Sequence, residues 1–303
     1  MIRVLGTALN GLARLSPRLA GALAVRLFVT PRRVPMRPQT AAFLDSSDRH
    51  YLTGPGGHEL AAYRFRPKPV ADAADPARAP RVLLVHGWES HAGRWVPLIR
   101  ALRDRGCAVV AFDGPAAGRS RGTTSAFNDY VAAAQAVEEA LGPFDVYIGH
   151  SLGGGVAAQL AARVPRGRRP ARVAIMGSFD ESEHVFDRYH AMLGLSDRVR
   201  AAFDAHVAGL LADPRAAADT PAPTVRDYSN TAAVAGLGQA VAGLIVHDRD
   251  DAVSPYAEGV ALHEAWPGSR LLTFTGEGHG LKGQRVLDAL SRWAVGGEGV
   301  EEV

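Results

Sequence analysis

Six short apolar runs, separated by stretches with helical spacing, constrain this chain more than any other feature. They are RVLLVH (81–86), CAVVAFD (107–113), FDVYIGH (144–150), ARVAIMG (171–177), AGLIVHD (242–248) and SRLLTF (269–274). A strand with one wet face alternates apolar and polar residues, whereas these runs are apolar through their middles, as strands covered on both faces must be. Residues 94–105, 128–141 and 152–164 lie between them and carry apolar residues at helical spacing, the second stretch closed by Gly142-Pro143. Such alternation implies a parallel sheet clothed by helices. The expected fold class is α/β, a mostly parallel, doubly wound sheet of about eight strands. A leading hairpin is read from AAFLDSSDRHYL and HELAAYRFRP around the turn signal Gly54-Pro55-Gly56-Gly57.

The rhythm breaks at residues 180–240, a mainly helical stretch with a Pro/Asp/Thr-rich end, which is read as a helical cap insertion. The organisation expected is a basic helical arm over 1–40, a core over 41–179 and 241–295, the cap over 180–240 and a flexible tail over 296–303. PKPVADAADPARAP (67–80) has no period and is read as an exposed connection. A chain of 303 residues holds one catalytic domain of this kind with its insertion.

The net charge of +3 is unevenly placed. Residues 1–40 hold seven arginines and no acid, so the remainder carries 3 − 7 = −4. No stripe of cations interleaved with aromatics marks the body, which excludes nucleic acid as the expected partner. Leu5, Leu9 and Leu12 follow helical spacing, and Ser16-Pro17 reads as the cap of a second helix reaching about Leu27. The arm is therefore read as a helix pair that docks on the body, in preference to a secretory signal or a membrane-surface helix. No apolar run approaches the roughly 18 residues of a membrane span, and the expected location is cytoplasmic. The single cysteine, Cys107, excludes an intrachain disulfide and a cysteine-based zinc site, and its apolar setting reads as core.

The pattern G-x-S-x-G occurs twice, at 149–153 and 118–122. With 33 glycines it is cheap, so its flanks decide. The chemistry needs a sharp strand-to-helix turn that lifts a seryl hydroxyl over the sheet edge and leaves no room for side chains two residues away. Ser151 has a buried strand before it and a small-residue helix after it; Ser120 has neither. Ser151 is the candidate nucleophile. His279, in the glycine-flanked GEGHG after the last strand, is the candidate base, whereas His263 lies within a helical stretch. Asp248, Asp250 and Asp251 all follow GLIVH. Asp251 is preferred because Val253 returns to the core and Ser254 caps the next helix, with Asp250 second and Asp180 or Glu181 further alternatives. Leu152 N–H and Trp88 N–H are the expected oxyanion donors, Gly87 allowing unusual dihedrals before Trp88. Trp88, His150 and Phe179 are the candidate substrate contacts. His184, Asp187 and His190 spread over about 120° of a helix, too wide for one metal-binding face.

With these residues in place, the chain resembles the α/β-hydrolase superfamily over roughly residues 45–294. The matching pieces are HGW (86–88), FDGPAAGRS (112–120), GHSLGG (149–154), HDRDDAVSP (247–255) and GEGHG (276–280). The resemblance implies a triad of Ser151, Asp251 and His279, oxyanion positions at Trp88 and Leu152, and a structural role for Ser120. Asp248 departs from the glycine usual at the start of the acid turn, and Ala116-Ala117 from the usual Gly-His. The function implied is serine hydrolysis of a small-molecule carboxylic ester through an acyl-enzyme, with no metal and no organic cofactor. Thioester or carbon–carbon cleavage by the same triad and a non-catalytic binder of the same fold are the alternatives.

Overall fold

Each of the six apolar runs becomes a strand, and the hairpin adds two more. The computed structural model describes residues 2–69, 79–211 and 229–297. The strands are β1 (Asp48–Thr53), β2 (Glu59–Phe65), β3 (Arg81–Val85), β4 (Ala108–Phe112), β5 (Val146–His150), β6 (Arg172–Met176), β7 (Ala242–Asp248) and β8 (Arg270–Phe274). They form one sheet in the order β1-β2-β4-β3-β5-β6-β7-β8. β2 runs antiparallel to both its neighbours, and β3 through β8 are mutually parallel.

The apolar runs lack alternation because both faces of the sheet are covered. Leu83, Val85, Tyr147, Val173, Ile175 and Ile245 face one way. There they meet α5 (Phe127–Leu141), α6 (Leu152–Arg163) and α10 (Tyr256–Ala265) through Val131, Val137, Val156, Leu160 and Leu262. Their chain neighbours Val82, Leu84, Ile148, Ala174, Leu244 and Val246 face the other way, onto α4 (Val96–Asp104) and α11 (Gln284–Ala294) through Leu98, Leu102, Val286, Leu290 and Trp293. Cys107 is buried in this second layer, and burial pushes its thiol up to about 11.

One element differs from the sequence reading. AAFLD belongs to a helix, α3 (Pro38–Asp45), and the strand begins only at Asp48. Pro38 supplies a φ already suited to the first helical turn, and the short run that follows includes two alanines and buries Leu44. The expected hairpin forms with Thr53 opposite Glu59.

The described residues divide into two compact units. Arg32–Asp180 and Asn230–Val303 carry the sheet, including a short helix, α9 (Asn230–Ala235). Met1–Pro31 and Glu181–Ser229 form a helical unit of α1 (Ile2–Leu12), α2 (Pro17–Phe28), α7 (Ser182–Leu193) and α8 (Asp197–Leu211). Ser16 caps α2 through the Leu19 N–H, with Pro17 next in line. Asn10 joins the N-terminal helices to the later ones, donating to Gly194 O at 2.8 Å and accepting from Ser196 N at 2.8 Å. Phe28 lies edge-on to Phe186 and Phe203 in the centre of this unit. His190 is buried edge-on against Phe203, and Asp187 pairs with Arg200. No helix among the described residues is long and apolar enough to cross a membrane. The middle of the 67–80 connection, the Pro/Asp/Thr-rich end of the insertion and the last six residues of the expected tail lie outside the described residues.

Leu83 sits in the middle of β3 with no exposed surface. Leu83→Ala removes most of that side chain from a two-sided core, and urea denaturation should register a loss of about 3 kcal/mol.

Candidate active site

The site starts at a backbone conformation that the chain adopts nowhere cheaply. β5 ends at His150 and α6 begins at Leu152, leaving Ser151 alone in the turn at φ 54°, ψ −125°. A positive φ is strained for a residue with a Cβ, so the surroundings must hold it. Ser151 N–H donates to Met176 O at 2.8 Å, and Ser151 O accepts from Ser178 Oγ at 2.8 Å. The flanking glycines are required by space. A Cβ at Gly149 would overlap the carbonyl oxygen of Gly153, and one at Gly153 would overlap that of Val85. The second G-x-S-x-G has no such turn. Ser120 is buried, with Oγ donating to Asp113 O at 2.6 Å and accepting from Ala61 N at 2.9 Å, so its hydroxyl serves the fold.

Beside the elbow runs the loop that follows β3. Gly87 is not left-handed; a Cβ there would come within 3.0 Å of His150 O and Ser151 Cβ, so close approach is what the position demands. The left-handed residue is Glu89, at φ 47°, gripped by Arg32. His86 fixes the start of the loop. Gly114 N donates to its Nε2 at 2.9 Å, so Nδ1 carries the proton and donates to Gly87 O at 2.8 Å. Burial pushes this imidazole down to about 4, keeping it neutral. Tyr130 Oη donates to His86 O at 2.7 Å from α5. Trp88 follows directly, with 37% of its surface exposed. Leu152 is the first residue of α6, where backbone N–H groups have no partner within the helix.

The other half comes from the ends of β7 and β8. His279 lies in a short turn after β8, and its Nδ1 is 2.8 Å from Asp251 Oδ2. Asp251 Oδ1 accepts from Val253 N and Ser254 N at 2.8 and 2.9 Å. Burial opposes ionisation of Asp251, but the hydrogen bonds from His279, Ser254 and Val253 win and hold its carboxyl below the usual carboxylate value. Asp250 is exposed, and its backbone N–H donates to Asp248 Oδ1. Asp180 accepts at its carbonyl from Asn230 N, and Glu181 accepts from Ser229 Oγ.

The two halves meet at His150. Its Nε2 donates to His279 O at 2.7 Å, and the two rings lie 4.9 Å apart at 57°. Burial, then the charge of Arg94, drives His150 well below the ordinary histidine value, so it is neutral, with a buried Nδ1 that has no hydrogen-bond partner among the described residues. The structure thus brings Ser151, His150, His279 and Asp251 into one locality. Phe179 is buried, with its ring edge-on to Phe127.

Several groups escaped sequence reasoning. Asp248, the residue in place of the usual glycine, is fully buried and ties the two loops together: Oδ1 accepts from Asp250 N at 2.8 Å and Oδ2 from Glu277 N at 2.7 Å. Arg94 braces the same region by donating to Gly280 O at 2.9 Å. The backbone of Gly177, after β6, passes close enough that a Cβ would touch Asp251 Oδ2 at 3.3 Å and His279 Nδ1 at 3.6 Å. The departure at Asp248 was visible in the sequence; its partners, being main-chain N–H groups, were not.

A model of the alpha/beta hydrolase family matches residues 82–288. This chain belongs to that family. A non-heme haloperoxidase of Rhodococcus erythropolis is 36% identical over 100 residues, which are 32% of this chain and 36% of that protein, so the chain spans about a third of the relative it matches. Among solved structures, the ferulic acid-bound Est1E of Butyrivibrio proteoclasticus superposes with a TM-score of 0.56 at 19% identity, covering 81% of this chain and 96% of its own. A meta-cleavage product hydrolase of Pseudomonas fluorescens does so at 0.53 and 17%, covering 81% and 96%. At these identities the alpha/beta hydrolase likeness is one of fold.

Two stability predictions follow from the buried carboxylates. Asp248→Ala strands two N–H groups and should cost about 3 kcal/mol in urea denaturation. Asp251 has a lowered carboxyl, so it stabilises the native state above the ordinary carboxylate range, and that stabilisation is lost as pH falls through the folded value. Asp251→Asn should therefore be less stable than wild type at neutral pH, with the gap closing below about pH 4.

Proposed function

We propose that this alpha/beta hydrolase cleaves a small-molecule carboxylic ester through an acyl-enzyme on Ser151. The observation that carries the reading is the positive-φ seryl turn between β5 and α6, joined through His150 to a loop whose His279 is held at Nδ1 by Asp251. With Nδ1 engaged, His279 Nε2 is the nitrogen left to take a proton.

In the proposed reaction Ser151 Oγ attacks the ester carbonyl while His279 takes its proton, and the charge that develops on the carbonyl oxygen is met by the N–H groups of Trp88 and Leu152. Collapse expels the alcohol, which receives the proton from His279. Water then attacks the acyl-enzyme with the same base, releasing the carboxylic acid and restoring Ser151. Asp251 keeps the imidazole in the required tautomer and stabilises its cation. Trp88, His150 and Phe179 are assigned to the walls that hold the substrate, and the turnover uses no metal or organic cofactor. The ester class is supported by the esterases of Exiguobacterium antarcticum and Thermogutta terrifontis among the solved structures of like fold.

A fluorophosphonate probe tests the nucleophile: wild type should label and Ser151→Ala should not. Labelling that persists in that variant, or maps to Ser120, overturns the assignment. With p-nitrophenyl esters of increasing chain length, Ser151→Ala and His279→Ala should each lower kcat/KM by about 10⁴-fold or more, and Asp251→Asn by about 10³- to 10⁴-fold. A wild type that labels but turns over only thioesters or carbon–carbon substrates would replace the ester class while leaving the triad in place.

A further inference from the structure

Helix α2 carries more apolar surface than its fold uses. Ala20, Gly21, Ala24 and Val25 are buried, and α2 lies so close to α8 that a side chain at Gly21 would meet the backbone of Ala202. Leu19, Leu23 and Leu27 lie elsewhere on the helix. At about 100° per residue they span an arc of about 80° beside the buried one. They are 50%, 42% and 43% exposed, and Leu15, in the turn before α2, extends the row at 87%. Along the other side of this row lie Arg18 and Arg26, with Arg14 one turn earlier. Arg3 stands on α1 near the exposed Ile2, Val4 and Leu5. Among the described residues none of these four arginines has an ion-pair partner, and no acid occurs before Asp45.

We propose that this face docks on the surface of an anionic lipid bilayer, α2 lying in the interfacial plane with its leucine row among the acyl chains and its arginines at the headgroups. The order of chemistry around the helix fits that occupant. A bilayer presents an apolar layer and a negatively charged layer side by side, matching adjacent leucine and arginine arcs. A second copy fits poorly, because pairing two leucine rows would bring two sets of unpaired arginines together.

The test uses the full chain with vesicles of equal parts phosphatidylcholine and phosphatidylglycerol, against vesicles of phosphatidylcholine alone. Wild type should co-sediment with the mixed vesicles only, and less so as salt is raised. A Leu19→Ser/Leu23→Ser/Leu27→Ser variant and an Arg14→Gln/Arg18→Gln/Arg26→Gln variant should each lower the bound fraction by about tenfold or more while circular dichroism shows both still folded at the assay temperature. A gain-of-signal version avoids dependence on those variants: Leu23→Cys, labelled with an environment-sensitive dye while Cys107 stays buried, should shift its emission to the blue on adding mixed vesicles. Absence of wild-type binding to the mixed vesicles, equal binding by either variant, or an unshifted dye overturns the proposal. So does a wild-type dimer that ignores vesicles and dissociates when the leucines are replaced.

Discussion

The close approach of the first turn of α6 to β3 and β5 is the constraint on which the rest of the site depends. Three stretches of main chain, around Val85, Gly149 and Gly153, occupy space that would otherwise hold side chains. That crowding forces the single residue between strand and helix into a left-handed conformation and leaves its hydroxyl at the carboxyl edge of a parallel sheet. Ser151 is kept there by bonds to its own main chain from β6 and Ser178, so the strain is shared with the neighbouring strand.

The groups around the elbow follow a common pattern in which a buried side chain bridges main-chain atoms of two loops. His86 ties Gly87 to Gly114, Asp248 ties Asp250 to Glu277, and His150 reaches the carbonyl of His279. Each bridge fixes the relative position of segments far apart in sequence. Reacting groups on loops need this kind of support, because an error of an ångström in their placement is costly in rate.

How much of this could be read from the residues depended on whether the partners were local. The six central strands were legible because each is sandwiched between two helical layers and shows it as an unbroken apolar run. Ser151 was legible because its requirement for two glycines and a strand–helix context is written within a few positions. α3 was misread because eight residues carry too little periodicity to outweigh the apolar look of AAFL. Asp251 was preferred to Asp250 on two cues that the structure does not keep, since Val253 is exposed and α10 starts after Pro255, with no side-chain cap from Ser254. The two aspartates differ in that the backbone of Val253 and Ser254 folds back onto one carboxylate only. Tyr130, Asp248 and Arg94 were invisible as supports, since each meets a carbonyl or an N–H that any residue would offer.

The bridge through His86 also sets how the molecule tolerates acid. Burial disfavours the charged ring, and Gly114 N sits on the lone pair that a second proton would need, so His86 stays neutral in the folded chain down to about pH 4 whereas in an unfolded one it takes the proton near pH 6.5. Between those two values the denatured ensemble binds the extra proton and the native one does not. Acidification across that interval therefore draws the equilibrium toward unfolding through a residue that takes no part in the proposed chemistry, and His150, lowered in the same direction, adds to the effect from the end of β5.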